Sequence, residues 1–383
     1  MGIGAAPDAA AYHDAGSNTL AHMATATGGL KLPTLQSMGL GNIPALLPGG
    51  LPIKGVPPAA VPLADFGAMC EQSQGKDTTT GHWEMAGLLL DHGFHVFPPD
   101  SPAFPAELVR EFERRTGRPT IGNKAASGTK IIEELGPQQM ETGAWIIYTS
   151  ADSVFQIAAH EDIIPLTELY RGCEIARELC NPYHVGRVIA RPYIGQPGAF
   201  QRTDNRHDYS YPLPEPTILD RLTEAKVFTA TVGKLDDIFN RQGIAKAYHV
   251  ENNADAQKIT LKLAKTRSNG FIFVNLIDFD MRYGHRRDAA GYAQALADTD
   301  RFFKALLPLL GKDDLLMVTA DHGNDPTYAG TDHTREFVPL LAYCGGRPGR
   351  NLGIRQGFFD IAQTLAAFFG LPPGPRGVSF LKP

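Results

Sequence analysis

The stretch Leu315-Leu316-Met317-Val318-Thr319-Ala320 runs straight into Asp321-His322-Gly323-Asn324. A short apolar run that ends in chemically capable residues reads as a buried strand delivering side chains at its carboxyl end. The same grammar recurs. Ala144-Trp145-Ile146-Ile147-Tyr148 leads into Thr149-Ser150-Ala151-Asp152. Val227 to Val232 leads into Gly233-Lys234, and Phe271 to Ile277 leads into Asp278-Phe279-Asp280. Helical patterns lie between and after these runs. Asp288 to Leu307 carries Tyr292, Leu296, Phe303 and Leu307 at near-helical spacing. Phe359 to Phe369 ends at Gly370 and Pro372-Pro373, a stop signal. Strands alternating with helices predict an α/β fold with an open, mostly parallel sheet and helices on both faces. Ligands of such sheets bind beyond the carboxyl ends of the strands, where the polar clusters fall.

The rhythm breaks between about residues 99 and 206. Pro98-Pro99-Asp100-Ser101-Pro102 opens this segment and Gln201 to Arg206 closes it. We read 99–206 as an inserted α/β cap domain, with 1–98 and 207–383 forming the core. Ile43 to Leu63, rich in Pro, Gly, Leu and Val, reads as an ordered irregular connection.

The 383 residues suffice for more than one domain. With 43% hydrophobic and 20% charged residues, the chain has the composition of a globular protein. A net charge of −5 and the absence of dense Lys/Arg blocks argue against a general nucleic-acid surface. No run is long enough to span a membrane. No basic segment followed by an apolar run marks a signal peptide. The four cysteines form no C-x-x-C pair and read as reduced thiols, so a cytoplasmic location is expected. The oligomeric state is not legible.

Asp280 and His285 form a D-x4-H pair after one run. Asp321 and His322 are adjacent after another, and His333 follows in Thr331-Asp332-His333-Thr334-Arg335-Glu336. One such residue after a strand is ordinarily a cap or turn residue. Five at strand ends point to metal, and mixed carboxylate and imidazole ligands suit a transition ion. Two such ions can stabilise both the attacking and the leaving oxygen of a phosphoryl transfer. Asp91-His92-Gly93 repeats the tripeptide of Asp321-His322-Gly323 but lacks the Asn-Asp that follows it, and reads as structural.

Gly75-Lys76-Asp77-Thr78-Thr79-Thr80-Gly81-His82-Trp83-Glu84 places hydroxyls before an apolar segment. Such residues are ordinarily N-caps. A helix start also favours an anion, and a hydroxyl activated there by a dication can attack phosphorus. The sequence does not choose among Thr78, Thr79 and Thr80.

Several long motifs together resemble the phosphopentomutase family of the alkaline-phosphatase superfamily. They are Gly75 to Glu84, Tyr148 to Ser153, Gly186-Arg187-Val188-Ile189-Ala190-Arg191-Pro192, Asn205-Arg206-His207-Asp208-Tyr209 and Asp278-Phe279-Asp280. Gly284-His285-Arg286-Arg287-Asp288, Thr319 to Pro326 and Gly330 to Glu336 complete the set. The resemblance runs from Met1 to about Leu381. It implies an alkaline-phosphatase-like core and an enzyme that moves phosphate between the 1- and 5-hydroxyls of ribose or deoxyribose. It implies Thr78 as the nucleophile, carried as phosphothreonine. One divalent ion, Mn²⁺ by family preference, would be held by Asp280, His285 and His333. A second would be held by Asp321, His322 and one further Asp. Ser150, Asp152 and Arg187 of the cap, with Lys234 of the core, would hold the pentose phosphate, and a sugar bisphosphate would prime the enzyme.

The family's further Asp precedes a Gly-Ile-Gly motif, at the end of a first strand. This chain opens inside that motif, at Met1-Gly2-Ile3-Gly4. We therefore expect a start site assigned too late, which an intact mass of the natural product would check. Asp8 and Asp14 are nearby carboxylates, but nothing in the sequence marks either as a replacement. A related phosphatase or phosphoglycerate mutase is the enzymatic rival. A truncated chain that merely binds sugar phosphates is the non-enzymatic one.

Overall fold

The computed structural model describes residues 1–150, 152–266 and 269–381; Ala151 of the Tyr148 to Ser153 motif lies outside them. It contains two compact units, Met1–His92 with Pro214–Pro383, and Gly93–Leu213.

In chain order the first unit begins with α1 (Thr19–Ala26), α2 (Pro33–Met38), β1 (Asp65–Met69) and α3 (Thr78–Met85). The Gly93–Leu213 unit contains α4 (Ala106–Thr116), β2 (Thr120–Ala125), α5 (Gly128–Thr142), β3 (Trp145–Thr149) and β4 (Val154–His160). It continues through α6 (Leu166–Cys180), β5 (Arg187–Ile194), β6 (Gln201–Arg202) and β7 (His207–Ser210). The first unit resumes with α7 (Ile218–Glu224), β8 (Thr229–Val232), α8 (Leu235–Ile238), β9 (Lys246–Tyr248), α9 (Asn253–Thr266) and β10 (Phe271–Val274). It ends with α10 (Ala289–Leu306), β11 (Leu315–Val318), β12 (Val338–Cys344), β13 (Asn351–Arg355) and α11 (Asp360–Phe368).

The strands of the larger unit pair as two sheets, β11-β12-β1-β13 and β10-β8-β9. The β1–β13, β8–β10 and β8–β9 ladders are parallel; β1–β12 and β11–β12 are antiparallel. The Leu315 run is thus an outer strand with an antiparallel neighbour. A continuous apolar run reports burial and says nothing about the direction of its neighbour. Helix α10 packs against α1, α2 and α9, whereas α11 packs against α3 and α7. Leu20, Met23, Leu35, Met38, Tyr292, Leu296, Phe302 and Phe303 share one core, which also takes in Ile43, Ile53 and Val56 of the irregular connection. Asp288 caps α10 by accepting from Gly291 N (2.8 Å), the ordinary way to satisfy a free first-turn donor.

The Gly93–Leu213 unit is a six-stranded sheet of order β2-β3-β4-β5-β6, with β7 also on β5. Side chains alternate across it. Trp145, Ile147, Phe155, Ile157, Val188 and Ala190 face one core, where Cys173 and Ala176 of α6 also sit. Ile146, Tyr148, Ala158 and Tyr193 face the other, with Ile131 and Ile132 of α5.

Asp65 starts β1 and is buried, but it is held by two guanidiniums. Arg347 donates to both carboxylate oxygens (2.7 and 2.6 Å), and Arg350 donates through Nη2 (2.7 Å) and its backbone N (2.7 Å). Burial raises the Asp65 pKa, but the two arginines outweigh it and bring the carboxyl down to about 2. A depressed carboxylate stabilises the fold above its unfolded pKa of 3.8, and that contribution is lost as pH falls towards 2. Asp65→Asn is expected to cost about 2 kcal/mol at pH 7 and to remove this acid dependence. Urea melts at pH 7 and pH 2.5 check both parts.

Candidate metal centre

Two sheet ends supply the centre. After β10 the chain makes a π-helical turn, Phe279–Gly284, which carries Asp280 and is followed by His285. After β11 it presents Asp321 and His322. The Gly323–Thr334 bridge then folds the His333 loop back onto the second cluster.

The structure brings Asp280, His322 and His333 together: one ligand atom from each lies within 4.8 Å of the others. His285 Nε2 is 3.1 Å from Asp280 Oδ2, and His333 Nε2 is 3.1 Å from Asp280 Oδ1. The His322 and His333 rings lie 3.8 Å apart, and the His285 and His333 rings 4.7 Å apart. His322 Nε2 sits 3.3 Å from Asp321 Oδ2. Two imidazoles are oriented by their other nitrogen: His285 Nδ1 donates to Thr331 O (2.6 Å), and His322 Nδ1 to Gly323 O (2.9 Å). That arrangement leaves Nε2 facing the cluster, as a metal ligand requires.

Electrostatics follow from this crowding. Burial raises the Asp280 pKa, but the adjacent His285 and His333 imidazoles and the charge of His322 outweigh it, holding the carboxyl far below its usual range. Burial likewise opposes ionisation of Asp321, and His322 and His82 more than offset it. The hydrogen bond to Asp280 lifts His285 to about 9, against the cost of burial. His333 Nε2 is buried without a hydrogen-bond partner of good geometry. An orphaned imidazole nitrogen among carboxylates and further imidazoles fits a divalent transition ion.

Thr78 is the first residue of α3, capped by Asp77. Asp77 Oδ1 accepts from Thr80 N (3.1 Å), and Oδ2 accepts from Thr80 Oγ1 (2.5 Å). That bond commits the buried Thr80 hydroxyl. Thr78 Oγ1 instead lies 3.1 Å from His322 Nε2. Helix α3 reaches so close because residue 81 is glycine: a Cβ there would stand 2.1 Å from Asp321 O.

The other candidates have their own partners. Within the Gly93–Leu213 unit, Arg187 Nη2 is 3.6 Å from Asp152 Oδ2 and Nη1 is 3.5 Å from Asp208 Oδ2. Asp152 N donates to Ser150 Oγ (3.4 Å). Lys234 follows β8 in the larger unit, its Nζ 3.1 Å from Met281 Sδ. Asp91 and His92 are exposed. Asp8 and Asp14 are engaged away from the ligands: Asp8 pairs with Arg335 (2.9 Å), and Asp14 pairs with Lys76 (3.0 Å) and accepts from Arg335 N (2.9 Å).

Sequence reasoning missed the residues that hold the site in place. Asn324 Nδ2 donates to Asp280 Oδ1 (2.6 Å) and ties the two strand ends together. His82 bridges Thr78 O (2.8 Å) and Asp321 Oδ2 (3.2 Å). Buried Glu336 accepts from Thr19 N (2.9 Å), Thr19 Oγ1 (2.7 Å) and Thr334 Oγ1 (2.7 Å). Buried Glu84 accepts from Gln72 N, Ser73 N and Phe358 N. Charged residues directly before the apolar run Phe337 to Leu341 were the one available hint.

A family model described as the metalloenzyme superfamily matches residues 1–373. A phosphopentomutase of Anaeromyxobacter sp. (strain K) is 52% identical over 381 residues, covering 99% of this chain and 95% of the relative. One from Caldanaerobacter subterraneus subsp. tengcongensis is 51% identical over 384 residues, covering 100% and 95%. Four of the described cysteines are free thiols, and among the described residues no helix is long and apolar enough to cross a membrane. With such identity sustained along nearly its whole length, and a carboxylate–imidazole centre beside a threonine run that opens a helix, the chain belongs to the phosphopentomutase family of the metalloenzyme superfamily.

Proposed function

We propose that this chain interconverts the 1- and 5-phosphates of ribose or deoxyribose, with Thr78 carrying the phosphoryl group between turnovers. The observation that carries the reading is Thr78 Oγ1 at a helix start, 3.1 Å from His322 Nε2, beside the cluster of Asp280, His322 and His333. Asp280, His285 and His333 would hold one divalent ion, and Asp321 and His322 would contribute to a second. Mn²⁺ is the ion we assign. Bound there, the ions would lower the pKa of a hydroxyl and neutralise charge on the transferring phosphoryl group.

The chain's own groups do the rest. Phosphothreonine 78 gives its phosphoryl group to the free sugar hydroxyl: the new sugar O–P bond forms as the Oγ–P bond breaks. The bisphosphate then returns its other phosphoryl group to Thr78 Oγ, leaving the isomeric monophosphate. The free N–H groups at the start of α3 favour the anion throughout. Arg187 grips a phosphate as a planar fork, Lys234 as a point charge, and Asp152 accepts from a sugar hydroxyl with Ser150 beside it. A sugar bisphosphate supplies the first phosphoryl group.

The test is conversion of ribose 1-phosphate to ribose 5-phosphate with Mn²⁺ and catalytic bisphosphate. Net release of inorganic phosphate in place of isomerisation would sink the reading. Asp280→Asn removes the carboxylate shared by His285 and His333, and is expected to weaken Mn²⁺ binding by about 100-fold or more. Calorimetric titration of the metal checks this. Arg187→Ala is expected to raise KM about tenfold, and unchanged kinetics would remove Arg187 from the site.

A further inference from the structure

A second cluster lies in the Gly93–Leu213 unit, at the N-terminus of the 15-residue helix α5. Tyr148 is 1% exposed, and its hydroxyl is buried without a hydrogen-bond partner. Tyr148, Gln156 and Arg191 share one face of the sheet by register. Arg191 Nε donates to Gln156 Oε1 (3.0 Å). Neither Arg191 nor Arg202 has a carboxylate within ion-pair distance among the described residues. A Cβ on Gly128, the first residue of α5, would stand 1.7 Å from Arg202 Nη2 and 2.5 Å from Tyr148 Oη. The guanidinium, the phenol and the helix start therefore converge on one small space, which glycine leaves open.

Tyr148 Oη and Arg202 Nη2 can both donate into that space. The N-cap Ser127 makes no side-chain cap bond, so no cap side chain occupies the first N–H groups of α5. Arg202 can donate to the phenol oxygen but cannot take its proton. Burial keeps Tyr148 protonated against the pull of Arg191, Arg202 and Arg206. Burial, with repulsion from Arg206 and Arg202, also depresses the Arg191 pKa, although Tyr148 and Asp208 oppose this. Crowded cations, an O–H without an acceptor and a helix start share one complement, an oxyanion.

We propose that this is an oxyanion site for a phosphate group, built by Arg202, Tyr148 and the first N–H groups of α5, with Arg191 on the same face of the sheet. Either a sugar phosphate or free phosphate has the required chemistry. Assignment to a sugar phosphate rests on the function proposed above; the site itself rests on its geometry.

The full-length chain, Arg202→Gln and Tyr148→Phe are titrated calorimetrically with inorganic phosphate and separately with ribose 5-phosphate. Tyr148→Phe keeps the ring in the core, and Arg202 is exposed, so both variants should fold. Circular dichroism checks this. Arg202→Gln is expected to weaken binding about tenfold and Tyr148→Phe severalfold. A ligand-induced tyrosine difference spectrum should vanish in Tyr148→Phe. Ribose 5-phosphate binding at least about tenfold tighter than phosphate assigns the site to a sugar phosphate; equal affinities assign it to free phosphate. Affinities within about twofold of wild type in both variants, for both ligands, overturn the proposal. Isomerase assays on the same preparations separate the two readings. Turnover with unaltered Arg202→Gln binding removes the site alone. Arg202-dependent binding without turnover removes the mutase reading alone.

Discussion

Thr78→Ala is expected to lower isomerisation on the order of 10³-fold or more, while Mn²⁺ binding stays close to wild type. The size follows from the lack of a substitute. Thr80, two residues on, is buried and donates its hydroxyl to Asp77 Oδ2 (2.5 Å). Moving it would undo the cap of α3. Thr78 Oγ1, by contrast, lies 3.1 Å from His322 Nε2. The methyl of alanine leaves the Asp280, His322 and His333 geometry alone, so metal titration and turnover should separate. Intact turnover in this variant would refute the nucleophile. Parallel loss of metal binding would move the role of Thr78 from attack to ligand support.

Arg335→Leu is expected to destabilise the fold by about 3–5 kcal/mol, the largest single structural effect in the chain. The Arg335 side chain is 2% exposed. It pairs with Asp8 and Glu71, and it donates to the carbonyls of Glu71 (2.8 Å), Ser73 (2.9 Å) and Gly75 (2.6 Å). It thereby fixes the loop that leads into Asp77 and Thr78. Leucine would leave Glu71 buried without its cation and three carbonyls without this donor. Burial already raises the Glu71 pKa, with Arg335 as the main opposing influence. A buried acid with a raised pKa binds its proton more tightly in the folded state. Its penalty therefore grows as pH rises above the unfolded value. The destabilisation should be smaller at pH 5 than at pH 8, which urea melts at both pH values would measure. A loss below about 1 kcal/mol would show that the loop holds its shape without Arg335.

Three of the candidate metal ligands were readable because they follow apolar runs. Asp280 comes after Phe271 to Ile277, and Asp321 and His322 come after Leu315 to Ala320. Helix α10 was readable from its period and its Asp288 cap. The antiparallel neighbour of β11 was not, because β12 begins twenty positions past the end of β11 and pairing direction leaves no trace in side-chain polarity. Glu84, Arg335 and Glu336 were equally hidden. A buried charge and an exposed one are the same letter until the fold supplies its partners.

By itself, the sequence determined an α/β chain, the strand ends that carry carboxylate and imidazole, the threonine run and the family whose motifs these are. Only the tertiary structure decided among the three threonines' surroundings, by spending the Thr80 hydroxyl on Asp77 and setting Thr78 against His322. It alone brought His333 to Asp280, 53 positions earlier in the chain. It alone gathered Tyr148 and Arg202 around the start of α5. Local pattern encodes which residues are buried and where elements end. Which polar groups meet depends on long-range packing, and a one-dimensional pattern carries no record of it.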